Sequence, residues 1–115
     1  MAITATCVRV PVFFAHSESL NVQTKKPFSI PTLVKILEKQ PGIKIVDEES
    51  PLPGDELRRM YPMAINVAGT DDVYIGRIRK DLSVPNGADM WVVADNLRKG
   101  AATNAVQIAE CVIAL

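Results

Sequence analysis

Met90-Trp91-Val92-Val93-Ala94-Asp95-Asn96-Leu97-Arg98-Lys99-Gly100-Ala101-Ala102 passes from one side-chain periodicity to another. Residues 90–94 are apolar at odd and even positions alike, the pattern of a strand covered on both faces, so they are expected to form a central strand. Beyond them Ala101, Ala105, Ile108, Ala109 and Val112 share one helical face, which predicts a terminal helix over about 99–115. Small residues crowd the start of that helix, so a cofactor or another stretch of backbone is expected close to it. A plain strand-to-helix turn is the competing reading of 96–102.

Working outward, 72–79 reads as a strand with Val73 and Ile75 on one face and Tyr74 and Ile78 on the other. Residues 81–89, with Pro85-Asn86-Gly87, read as a turn or hairpin loop. Ser29 is a helix cap and Pro31 suits a first turn. Leu33, Ile36 and Leu37 then make an apolar stripe, and Pro41-Gly42 ends a helix of about 30–40. A short strand follows at 43–46. Residues 19–26 alternate, with Leu20, Val22 and Thr24 opposite Asn21, Gln23 and Lys25, as in a half-buried strand. Residues 3–14 are rich in Thr, Val and Phe and read as a strand interrupted at Pro11. These two segments are expected to pair antiparallel about His16-Ser17-Glu18. The stretch 47–62 holds three prolines and many charges and reads as a mobile surface loop. The fold class is therefore α+β: a mixed, mainly antiparallel sheet with two helices.

The chain of 115 residues suffices for one domain and not two. Thirteen basic and thirteen acidic residues cancel, and no basic stripe marks a nucleic-acid partner. No apolar run approaches a membrane span and no secretory leader is recognisable, so a cytoplasmic location is expected. Cys7 and Cys111 lack CxxC spacing, and one histidine completes no usual zinc site; both cysteines are expected as buried, reduced thiols, and no metal is expected. Neither is a convincing nucleophile, since Cys7 has apolar or small neighbours and Cys111 lies late in a helix. Neither a GxGxxG loop nor a P-loop occurs.

Arg9 and His16 carry the remaining chemistry. A guanidinium grips a carboxylate through two parallel hydrogen bonds, but a strand arginine is also commonly solvated or paired with an acid such as Glu18. An imidazole exchanges protons near neutral pH, but a lone histidine is often only a surface or satisfied core residue. Residues seven apart on a regular strand face opposite ways, so a shared site requires a bend, for which Pro11 and Ala15-His16-Ser17 are suited.

Thr6-Cys7-Val8-Arg9-Val10-Pro11-Val12 with His16-Ser17-Glu18 resembles the active-site segment of the aspartate-semialdehyde dehydrogenase family. Val73 to Asp81 resembles a later strand of that family, and Trp91 to Ala102 with Asn104 to Glu110 its entry into the C-terminal helix. The resemblance covers nearly the whole chain but only the last third of the family's length. It implies a single, partial catalytic and dimerisation domain (1–115), part of a glyceraldehyde-3-phosphate-dehydrogenase-like C-terminal domain. It also implies NADP-dependent interconversion of aspartate semialdehyde and aspartyl phosphate, in the biosynthesis of lysine, methionine and threonine. By resemblance Arg9 holds the substrate carboxylate, His16 is the general acid/base, and Asn96 and Gly100 lie at the cofactor. The family's nucleotide-binding domain and nucleophilic cysteine have no counterpart here. The chain alone is therefore expected to be inactive, with the missing domain and further copies of itself as partners. An apolar stripe along Ala101, Ala105, Ile108 and Val112 should then be exposed or covered in an oligomer. The alternative is a stand-alone, non-catalytic dimerisation or amino-acid-binding module derived from that family.

Overall fold

The computed structural model describes residues 1–47 and 61–114. The element order is β1 (His16–Gln23), α1 (Ile30–Glu38), β2 (Ile43–Val46), α2 (Ala64–Val67), β3 (Val73–Asp81) and β4 (Gly87–Ala94). A π-helical turn (Arg98–Ala102) and α3 (Thr103–Ile113) follow. One four-stranded sheet, ordered β1-β4-β3-β2, carries the fold. β4 is antiparallel to both its neighbours, and β2 runs parallel to β3, so the class is α+β as expected.

Met90 to Ala94 lies in an interior strand because both sides of it are paired and its residues are buried or half-buried. Val93 is fully buried and packs with Ala15, Val46, Val67 and Tyr74, flanked by Ala64 and Trp91. Ser29 caps α1 by accepting from the Thr32 N–H at 3.2 Å, with Pro31 in the first turn. The helix ends at Glu38 rather than near 40, and Gly42, at φ +76°, turns the chain into β2.

Several expectations are corrected. Residues 3–14 form no strand and are exposed. Their β-forming side chains have no neighbouring strand, and a strand is stable only when its backbone groups are paired. The partner of the alternating segment is β4 instead, in a ladder from His16 opposite Ala94 to Gln23 opposite Gly87. His16-Ser17-Glu18 is thus the first part of β1, not a turn. Every residue of β1 is exposed rather than half-buried, because it is an edge strand with little over either face.

β3 continues to Asp81, and its register against β4 shifts between Gly76 and Arg79. Arg77 stands in that bulge at φ +57°, a left-handed conformation rare for an arginine, with its guanidinium 5.2 Å from the centre of the Tyr61 ring. The extra residue means that Arg79, not Ile78, continues the face begun by Tyr74. The turn between β3 and β4 is shorter than 81–89, since the strands already pair at Asp81 and Gly87.

Of the segment read as a surface loop, 48–60 lies outside the described residues; Pro62, at its end, is fully buried. It sits against Gly76, where a Cβ would lie 2.6 Å from Pro62 Cδ, and its carbonyl accepts from the Trp91 indole N–H at 3.1 Å. The terminal helix begins as a π-helical turn, and Leu115 lies outside the described residues. Cys7 and Cys111 are exposed, not buried: one lies in the unpaired segment and the other on α3, which has no buried residue. Ala101, Ala105, Ile108 and Val112 are exposed together.

Candidate functional site

β1 begins where β4 ends, so His16 lies across from Ala94 and beside the turn that follows it. That turn is built by Asp95. Its Oδ1 accepts from the N–H groups of Leu97 (2.8 Å) and Arg98 (3.1 Å), the bonds an acidic cap makes at a helix start. Its Oδ2 accepts from the Gly69 N–H at 2.7 Å, and its backbone carbonyl from the Gly100 N–H at 2.9 Å. Asp95 is only 5% exposed. The Gly69 N–H, against the opposing effect of burial, and then those of Leu97 and Arg98 hold its pKa below the usual carboxylate value.

A second acid ties the same elements from outside. Asp71 accepts from Arg98 Nη1 at 2.8 Å and from the Thr103 hydroxyl at 3.2 Å. The Arg98 bond lowers the Asp71 pKa and raises that of Arg98. Lys99 donates to Gln107 Oε1, linking the π-helical turn to α3, and its ammonium lies close to Gly42 in the turn before β2.

On this frame three of the four expected site residues come together. The Asn96 side-chain carbonyl accepts from the Ala15 N–H at 3.2 Å. Ala15 is left-handed, at φ +66°, so the chain bends sharply just before His16. The imidazole lies against Gly100, where a Cβ would be 3.1 Å from His16 Cε1. The close neighbour implied by the small residues at the helix start is therefore, at Gly100, the histidine ring. His16 Nε2 lies 3.4 Å from Glu18 Oε1, with the two side chains 43% and 50% exposed.

Arg9 lies in the exposed N-terminal segment and makes no hydrogen bond or ion pair among the described residues. Glu18, considered as its partner, faces His16 instead. Two bends separate Arg9 from His16. The Val12 N–H donates to the Val10 carbonyl at 2.8 Å around Pro11, an inverse γ-type turn that proline suits, and Ala15 makes the second.

Asp95 and Gly69 were not singled out by the sequence, whereas Ala15 lies in the stretch 15–17 that was expected to bend. An acidic residue between a strand and a helix is a cap signature that could have drawn attention to Asp95. A depression lined by Pro27, Phe28 and the β3–β4 turn lies at the other end of the ladder and contains none of these residues. Among the described residues no group of His, Cys, Asp and Glu could hold a metal ion, and no helix is long and apolar enough to cross a membrane.

Residues 1–99 match the family model described as semialdehyde dehydrogenase, dimerisation domain. The chain is 48% identical to aspartate-semialdehyde dehydrogenase of Synechocystis over 111 residues, covering 96% of this chain and 31% of that protein. It is 50% identical to the Legionella pneumophila enzyme over 109 residues, 94% of this chain and 29% of that one. The crystal structure of Vibrio cholerae aspartate semialdehyde dehydrogenase II complexed with ASA superimposes with a TM-score of 0.78 at 42% identity. That match covers 94% of this chain and 30% of the other. The chain thus spans under a third of the length of the curated relatives it matches, and that part is C-terminal.

Proposed function

The chain belongs to the semialdehyde dehydrogenase dimerisation-domain family, and from that premise we propose that it is the C-terminal portion of an aspartate-semialdehyde dehydrogenase. In this reading it contributes acid–base chemistry and substrate-carboxylate binding to the NADP-dependent interconversion of aspartate semialdehyde and aspartyl phosphate. The wider role is amino-acid biosynthesis of the aspartate family, in the cytoplasm.

The observation that carries the reading is the lone imidazole held against Gly100, one turn from Asn96, at the junction of β1 and β4. His16 takes and returns the proton at Nε2, with Glu18 at 3.4 Å to compensate the charged ring. Arg9 receives the amino-acid carboxylate in a bidentate grip, which suits a guanidinium with no other acidic partner among the described residues. Asn96 fits a nicotinamide cofactor: its carbonyl is engaged by Ala15, which leaves its amide N–H groups to donate to a carboxamide. Gly100 contributes by admitting the imidazole. NADP, when bound, supplies the hydride acceptor. The thiol nucleophile and the nucleotide-binding domain belong to the part of the family's length that this chain does not span. A second copy of the chain is a further partner: β1 is exposed along its whole length and the family model is that of a dimerisation domain.

The test is NADP reduction in the presence of aspartate semialdehyde and phosphate. The purified chain alone should give no turnover. Adding the N-terminal two-thirds of a relative such as the Vibrio cholerae enzyme should restore it, and His16→Ala should abolish what is restored. Turnover by the chain alone, or restored turnover indifferent to His16, would overturn the proposal.

A further inference from the structure

We infer that Asp95 is the positioning residue of His16: its carboxylate fixes the turn whose Asn96 and Gly100 set the place of the imidazole. The inference deepens the proposed function and rests on its reading of His16 as the proton-transfer group. Among the described residues Asp95 is the one charged side chain that is buried. It makes more backbone bonds than a cap requires. Two close the start of the π-helical turn, and the third, from Gly69, ties that turn to the segment that follows α2.

The links to His16 are then short and specific. Asn96, next in sequence, receives the N–H of Ala15, the residue whose left-handed backbone aims His16. Gly100, whose N–H returns to the Asp95 carbonyl, offers its bare Cα side to the ring. The imidazole is thus held between a strand start and a turn, and both contacts are referred to one carboxylate. An exposed histidine with only Glu18 for a partner would otherwise sample several rotamers. Asp71 ties Arg98 and Thr103 from the solvent side and reaches neither Asn96 nor Gly100, so it serves as a control.

Because His16 is the only histidine, its ring signals and its reaction with diethyl pyrocarbonate report on it without ambiguity. Asp95→Asn and Asp95→Ser both remain serviceable caps but lose the oxygen that Gly69 reaches. In either variant the His16 ring correlations should shift and broaden, and its carbethoxylation rate should change severalfold. The amide signals of Ser83 and Val84, in the β3–β4 turn, should stay in place. Asp71→Asn should leave His16 unmoved. Asn96→Ala keeps the carboxylate's bonds and cuts only the link to Ala15, so it should move His16 even if neither Asp95 variant folds. Folded Asp95 variants with wild-type His16 signals and rate, or an unmoved His16 in Asn96→Ala, would overturn the inference. None of these readouts needs turnover. Failure here is therefore distinct from failure of the functional reading, which the reconstituted assay with His16→Ala decides.

Discussion

His16 occupies the room that a side chain at residue 100 would take: a Cβ on Gly100 would stand 3.1 Å from His16 Cε1. That spacing is tighter than ordinary van der Waals contact, so ring and turn are fitted to one another. Gly100→Ala should push the ring outward. It should also favour the helical turn by about 0.5–1 kcal/mol, since alanine is the better helix former. The expected result is an unchanged or higher thermal midpoint together with altered His16 ring signals and lower activity in the reconstituted enzyme. A variant with raised stability and full activity would show that the contact does not matter.

Acid should destabilise the fold through its tied carboxylates. Asp95, Asp71 and Asp81 are held below their ordinary value of 3.8 by the Gly69 N–H, by Arg98 and by Ser83 respectively. Since their folded values lie below their unfolded ones, their contribution is complete above about pH 4–5 and is lost as pH falls through the folded values. Urea midpoints measured from pH 7 to pH 3 should fall below pH 4, and Asp95→Asn should flatten part of that fall. An equal acid slope in that variant would remove Asp95 from the explanation.

Val93 is wholly enclosed by Ala15, Val46, Val67 and Tyr74. Val93→Ala should cost about 2 kcal/mol, from lost burial plus the cavity left behind. Urea unfolding at neutral pH measures it. A cost near zero would mean that the cluster closes around the smaller side chain.

The cap of α1 should be worth less. Ser29→Ala removes the acceptor for the Thr32 N–H, which should cost about 1 kcal/mol. Ser29→Asp should restore it. Equal unfolding midpoints for all three proteins would count against the cap.

What was legible in the sequence is what local pattern decides. Met90 to Ala94 declared an interior strand by being apolar at every position, and Ser29 with Pro31 declared a helix start; both stand. Residues 3–14 looked like a strand with equal clarity, but a strand also needs a neighbour, and propensity does not say whether one is there. The same limit applies to 19–26, which is strand only as far as Gln23, has no buried face, and pairs some seventy residues on, with β4. At the site, residue chemistry pointed to His16, and the resemblance to Asn96 and Gly100. Asp95 stayed hidden among them because its importance comes from Gly69, a contact between distant parts of the chain.

The ladder between β1 and β4 also has a bearing on the order of folding. β3 and β4 meet across a short turn, whereas His16 must find Ala94 across most of the length of the chain. Closing the long loop is entropically dear until the hairpin offers it a template. In kinetic experiments, truncations on β4 such as Val93→Ala should slow refolding, and truncations on β1 such as Leu20→Ala should chiefly speed unfolding. The strand that begins with the imidazole precedes β4 in the chain yet joins it only after β4 has found β3, so the surroundings of His16 are completed late in the assembly of the sheet.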